Sequence, residues 1–209
     1  MTQIGEEAKR QAGSFLNTSK SPPSDRERYF RQSGLIDRAG IPGKFKRANA
    51  SQLRGAEWLD RQADIIKQLN TGIILSLIGN RGTGKTRMAC ECIYEYIERH
   101  SKPALYLTAM DFFVEVKDSY QTSMSEQDIL SRMTRPGLLV IDEVQERGQT
   151  EWEDRLLTHM INKRYAGLKD TILISNQTKH EFSESIGTSI ASRMKETGGI
   201  IVCDWPSFR

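Results

Sequence analysis

The octet Gly79-Asn80-Arg81-Gly82-Thr83-Gly84-Lys85-Thr86 constrains this chain more than any other stretch, because it fits G-x-x-x-x-G-K-[ST] and follows the apolar run Ile73-Ile74-Leu75-Ser76-Leu77-Ile78. A buried strand that delivers a glycine loop to a helix requires a sheet with helices packed on it. Glycines let the backbone curl so that successive N–H groups point at a phosphate, and the N-terminus of the following helix adds positive potential at the same place. In such a loop Lys85 pairs with β- and γ-phosphate oxygens, and the Thr86 hydroxyl is a ligand of Mg²⁺. The strand before and the helix after are the context that turns the pattern into a nucleotide site.

The rest of the chain supplies the sheet. Apolar positions Leu53, Trp58, Leu59, Ala63, Ile65, Ile66 and Leu69 recur at helical intervals from Gln52 to Asn70. A helix is predicted from Thr86 to His100, a short second strand at Ala104-Leu105-Tyr106-Leu107, and a helical segment from Met110 to Val116. Leu138-Leu139-Val140-Ile141 is continuously apolar, as a parallel strand covered on both faces must be. An amphipathic helix over Trp152 to Tyr165 leads to strands at Thr171–Ser175 and Gly199–Cys203. Strands alternating with helices give an α/β fold with a five-stranded parallel sheet.

At 209 residues, with 37% hydrophobic and 27% charged residues, the chain has room for one sizeable core and an appendage. No apolar run approaches the ~20 residues needed to span a bilayer. The first residues lack both a basic start and an apolar stretch, so no secretory signal is visible and a cytoplasmic location is expected. Cys90, Cys92 and Cys203 are odd in number and form no Cys-x-x-Cys pair, which favours buried thiols over a metal site.

Charge is unevenly spread. Residues 1–54 hold 11 Lys+Arg against 5 Asp+Glu, a net of +6, whereas the remainder holds 19 against 22, a net of −3. Residues 1–25 are rich in Ser, Gly and Pro and are expected to be flexible. Arg26 to Arg38 forms a short basic helix with Tyr29, Phe30, Leu35 and Ile36, and the globular domain is expected to begin near Ile41. The basic segment 1–40 suits a solvated tail, a nucleic-acid contact or an acidic partner surface.

Asp142 and Glu143 follow the third strand and match the Walker B pattern. There the first acid helps hold Mg²⁺ and the second orients and deprotonates the attacking water. The fourth strand ends in Ser175-Asn176-Gln177, beside those acids in a parallel sheet. Asn176 there either reaches the γ-phosphate or serves the turn. Arg193, in Ala191-Ser192-Arg193-Met194-Lys195, is either a surface cation or a finger inserted into a neighbouring subunit's site.

Taken together, these motifs and the ending Asp204-Trp205-Pro206-Ser207-Phe208-Arg209 resemble the AAA+ ATPases of the DnaC-type helicase loaders, with the related IstB transposition helpers sharing the core. The resemblance covers residues 41–209 and includes Ile41-Pro42-Gly43-Lys44-Phe45, similar to the family's entry to the ATPase domain. It implies an AAA+ domain without a C-terminal helical lid, binding ATP and Mg²⁺, with Asn176 as sensor 1, Arg193 as arginine finger and Arg209 as a nucleotide-sensing basic residue. It also implies a replicative ring helicase as partner, an ATP-dependent homo-oligomer, and single-stranded DNA passing Lys117, Asp118, Ser119 and Tyr120 and then Thr150 and Trp152. Tyr120 and Trp152 offer flat faces for base stacking, although an aromatic on an amphipathic helix also suits core packing.

One departure qualifies the resemblance. About 40 residues precede the ATPase, fewer than the family's helicase-gripping domain, so that contact falls to the basic segment around Arg26–Arg38. The compact chain suits a phage or prophage loader. The alternatives are an IstB-like transposition helper acting on duplex DNA, a small-molecule phosphate-loop kinase, and an adaptor that binds ATP with little hydrolysis.

Overall fold

The apolar runs become strands β1 Ile74–Ile78, β2 Ala104–Thr108, β3 Leu138–Asp142, β4 Asp170–Ile174 and β5 Gly199–Val202. This is seen in a computed structural model, which describes residues 24–47, 55–121 and 125–208. The strands form one sheet in the order β2-β3-β4-β1-β5, with every pairing parallel. The expected α/β architecture, a five-stranded parallel sheet flanked by helices, is therefore the one observed.

The strands are apolar throughout because both faces are covered. Leu75, Leu77, Leu138, Val140, Ile172 and Ile174 point into one core cluster, while Ile74, Ile78, Leu139, Ile141 and Leu173 point into the other. This is the period-two alternation of a pleated strand divided between two cores. The first cluster is closed by helices α1 Asp25–Asp37, α2 Ala56–Gln68 and α3 Lys85–His100. The second is closed by α4 Ala109–Ser119, α5 Glu126–Thr134, α6 Glu151–Ala166, α7 Lys179–Ser185 and α8 Thr188–Thr197.

The helices α5, α7 and α8 fall outside the sequence expectation. Helix α8 starts after Gly187 without a side-chain cap. The other two are short, yet each carries a reciprocal capping box, Ser125 with Asp128 and Thr178 with Glu181. Thr150 with Glu153 starts α6 in the same way. A hydroxyl three residues before an acid was thus a readable start signal. In α2 the expected face is only partly used, since Trp58 and Ile65 are buried but Leu59 is 43% exposed. Leu53 lies outside the described residues, as do the first 23 residues of the N-terminal segment.

The helix α1 coincides with the predicted basic segment, and its capping box is Ser24 with Glu27. It docks through the Gln32 side chain, whose Nε2 donates to Glu98 O at 2.8 Å, and through Leu35 and Ile36 packed on the first cluster. Ala39 and Ile41 are buried in that cluster. Below the sheet, the fully buried Arg164 donates to Met133 O at 2.8 Å and Pro136 O at 3.0 Å, and to Thr171 Oγ1 at 2.9 Å. These bonds tie the start of β4 to the entry of β3.

Candidate nucleotide-binding site

Parallel strands bring all their carboxyl ends to one edge, and β1 lies between β4 and β5, where successive connections leave in opposite directions. A crevice at such a switch point is where open α/β sheets hold ligands. Here it is a cavity of about 380 Å³, within the ~300–1,000 Å³ typical of small-molecule sites. From the predicted set it is lined by Arg81, Gly82, Gly84, Lys85, Thr86, Asp142, Glu143 and Asn176.

The loop Gly79–Thr86 is fixed from outside, leaving its inner side for a ligand. Trp205 Nε1 donates to Thr83 O at 2.7 Å, Phe208 N to Gly82 O at 3.0 Å, and Trp58 Nε1 to Gly84 O at 3.3 Å. These three bonds hold the carbonyls of Gly82, Thr83 and Gly84, and so fix the backbone of the loop that borders the cavity. Gly79 has φ 120°, and a Cβ there would come 2.7 Å from Cys203 O. Gly84 has φ 79°, and a Cβ there would come 2.9 Å from Trp58 Nε1. Both glycines are required by conformation and by space.

Lys85 is the first residue of α3 and only 4% exposed. Its Nζ donates to Gly79 O and Asn80 O at 2.7 Å each. Burial holds its ammonium below the usual lysine range, and a polyphosphate would oppose that shift. Thr86 Oγ1 donates to Asp142 Oδ2 at 2.7 Å. A hydroxyl and a carboxylate in contact form a hard oxygen donor set, which suits Mg²⁺.

Glu143 is exposed, with φ 54° and ψ 44°. A left-handed glutamate is uncommon and turns the chain into the 3-10 segment Val144–Glu146. Burial first, then Asp142 and Glu146, push its carboxyl above the usual range. The Asn176 backbone N donates to Gln145 Oε1 at 3.2 Å, which links the end of β4 to the turn after β3.

Sequence reasoning missed Lys44, Phe45, Arg87 and Phe208, which complete the cavity wall. The 3-10 turn Gly43–Phe45 is held by Arg87 Nη1, which donates to Phe45 O at 3.3 Å. Arg47 secures the same strap by pairing with Glu91, Glu95 and Glu98 and by lying 4.6 Å from the centre of the Tyr94 ring. The lead-in motif and the chain ending are legible as family signatures, but no local pattern places them on a pocket.

Other predicted residues lie elsewhere. Arg193, on α8, donates through Nη1 to Ser189 O at 2.8 Å and stacks 5.2 Å from the Tyr165 ring centre, outside the cavity. Lys117, Tyr120, Thr150 and Trp152 gather where α4 ends and α6 begins. Lys117 Nζ is 5.5 Å from the Trp152 ring centre and 3.8 Å from Glu153. Trp152 is half-buried, 5.9 Å from the Phe113 ring centre, so it packs on the core while keeping some surface. Thr150 caps α6, and Arg209 lies outside the described residues.

Cys90, Cys92 and Cys203 are buried free thiols, and burial pushes Cys90 and Cys203 up to about 12. Among the described residues no helix is long and apolar enough to cross a membrane.

The fold and this cavity define an AAA+ nucleotide-binding domain with its phosphate loop at the switch point of a parallel sheet. The chain belongs to the family described as IstB-like ATP binding protein, whose sequence model matches residues 43–194. The replicative helicase loader DnaC of Escherichia coli K12 is 28% identical over 142 residues, covering 66% of this chain and 58% of DnaC. The matched part therefore spans little more than half of that relative. Among solved structures, the DnaC helicase loader superposes with a TM-score of 0.66 at 18% identity, over 77% of this chain and 99% of that one. AMPPCP-bound DnaA from Aquifex aeolicus gives 0.64 at 20% identity, over 78% of this chain and 50% of that one. At such identities the structural likeness establishes the fold alone.

Proposed function

We propose that this protein is a Mg²⁺-dependent ATPase that loads or remodels a replicative ring helicase on single-stranded DNA. The observation that carries the ATPase reading is the convergence of Lys85, Thr86, Asp142, Glu143 and Asn176 on one cavity from three separate strand ends. Lys85 binds the β- and γ-phosphate oxygens, giving up its bonds to Gly79 O and Asn80 O. Thr86 and Asp142 would hold Mg²⁺, which when bound would neutralise the phosphate charge. Glu143 orients and accepts a proton from the attacking water, and Asn176 holds the γ-phosphate side of the cavity. Arg193 lies outside its own cavity and acts on a neighbour's, so ATP favours a homo-oligomer and hydrolysis releases it.

The helicase-loading part is supported by the similarity to DnaC over 142 residues. The helix α1 offers the partner contact, with Tyr29 68% and Phe30 61% exposed. Single-stranded DNA runs past Lys117, Tyr120, Thr150 and Trp152. The family description favours one second reading, a transposition helper that acts on duplex DNA.

Lys85→Ala should abolish tight Mg·ATP binding measured by fluorescence of a labelled nucleotide; unchanged affinity would remove the site assignment. Arg193→Ala should lose hydrolysis, and mixing it with a Glu143→Gln variant should restore activity in trans. No restoration counts against the shared site. Competition between single-stranded and duplex oligonucleotides, with pull-down of the cognate helicase, separates the two biological readings.

A further inference from the structure

Asp142 ends β3 and is 5% exposed, so its carboxylate needs donors to replace lost water. Three are present. Thr86 Oγ1 donates to Oδ2 at 2.7 Å, Glu143 N donates to Oδ1 at 2.7 Å, and Tyr106 Oη donates to Oδ2 at 2.9 Å. The first two come from the recognised motifs. The third comes from the neighbouring strand, where β2 pairs Tyr106 with Val140 and Thr108 with Asp142. Residues two apart on adjacent strands share a face, and a tyrosine is long enough to reach that diagonal neighbour.

Tyr106 is itself well fixed. It is 9% exposed and its ring belongs to the first core cluster. Its backbone N–H donates to Ala39 O at 2.7 Å, and a Cβ on Gly40 would come 2.7 Å from Tyr106 O. The chain leaving α1 thus runs against β2 at the residue whose side chain reaches Asp142.

We propose that Tyr106 is a positioning residue for the nucleotide–metal site, its hydroxyl locking the Asp142 carboxylate in the orientation that accepts the Thr86 hydroxyl proton. Two hydroxyls on Oδ2 use both lone pairs of that oxygen, while Oδ1 keeps one lone pair beyond the Glu143 N–H. With its proton directed at Asp142, the Thr86 oxygen has its lone pairs free for a cation. Without Tyr106 the carboxylate loses one of three restraints and Thr86 loses a fixed acceptor.

This inference rests on the Mg·ATP reading of the cavity, and its test separates the two. Affinity for a fluorescent ATP analogue is measured with Mg²⁺ and with EDTA, alongside the Mg²⁺ dependence of hydrolysis. The proteins are wild type, Tyr106→Phe, Asp142→Asn and the double variant. Tyr106→Phe keeps the buried ring, and Oδ2 keeps Thr86 as a donor, so the fold is retained and thermal melting checks it. The Mg²⁺-dependent gain in affinity should fall about tenfold or more in Tyr106→Phe, the size expected for one hydrogen bond to a charged group. Affinity in EDTA should stay unchanged, and Mg²⁺ half-saturation for hydrolysis should rise by a similar factor. In the Asp142→Asn background the same substitution should have no further effect. Wild-type Mg²⁺ dependence in Tyr106→Phe overturns the inference, as does an equal loss of affinity with and without Mg²⁺. A wild-type protein whose nucleotide affinity ignores Mg²⁺ overturns the reading of the cavity itself.

Discussion

The nucleotide cavity and the patch formed by Lys117, Tyr120 and Trp152 are built in opposite ways. In the cavity Lys85 is 4% and Asp142 5% exposed, and the phosphate loop is clamped by two indoles and a backbone amide. In the patch Tyr120 is 61% exposed, its hydroxyl bonded to Glu126 at 2.5 Å, and Lys117 lies over a half-buried tryptophan. A site that must stabilise a developing charge needs groups fixed before the ligand arrives, because reorganisation would consume the binding energy. A surface that meets successive bases needs accessible ring faces and tolerates looser geometry.

The largest test of this contrast is Glu143→Gln. Hydrolysis should fall by about 10²–10⁴-fold, the usual contribution of a general base, while ATP affinity changes little. Equal losses in both would make Glu143 part of the binding wall and erase its separate role.

Gly79→Ala probes the clamped loop. The φ of 120° and the approach to Cys203 O leave no room for a side chain, so stability should drop by about 1–3 kcal/mol, read as a lower melting temperature with weaker nucleotide binding. An unchanged melting temperature would show that the loop is not fixed as described. Tyr120→Ala addresses the other region. Single-stranded DNA binding should weaken by about 1–3 kcal/mol, the value of one stacked base, with stability altered by less than ~0.5 kcal/mol. Undiminished DNA binding would leave the patch without its proposed purpose.

The smallest effect concerns two thiols of the first core cluster. Cys90 and Cys203, held up to about 12 by burial, should resist maleimide in the native protein and react on unfolding, since the thiolate is the nucleophile. Rapid native labelling of Cys203 would mean that this cluster opens.

Much of the fold was legible because its signals are local. The β3 run Leu138–Ile141 and the loop Gly79–Thr86 each carry their geometry within a few residues, through side-chain period and backbone freedom. The helices α5 and α7 were missed because they span nine and seven residues, too few for helical periodicity to build up, and only their capping boxes mark them. For Trp152 the sequence leaves core packing and an exposed face both open, for a different reason. An amphipathic helix has a boundary between its faces, and only packing against Phe113 shows that this ring lies on it.

By itself the sequence determined a phosphate loop on a buried strand, an acid pair at the end of another, and enough apolar runs for a parallel sheet. Tertiary structure decided which distant side chains meet those motifs. Tyr106 reaches Asp142 because β2 pairs with β3 in a particular register. Trp205 and Phe208 clamp the phosphate loop because β5 lies beside β1 and returns the chain to it. Strand order and register arise from the simultaneous packing of two cores, so no single segment encodes them.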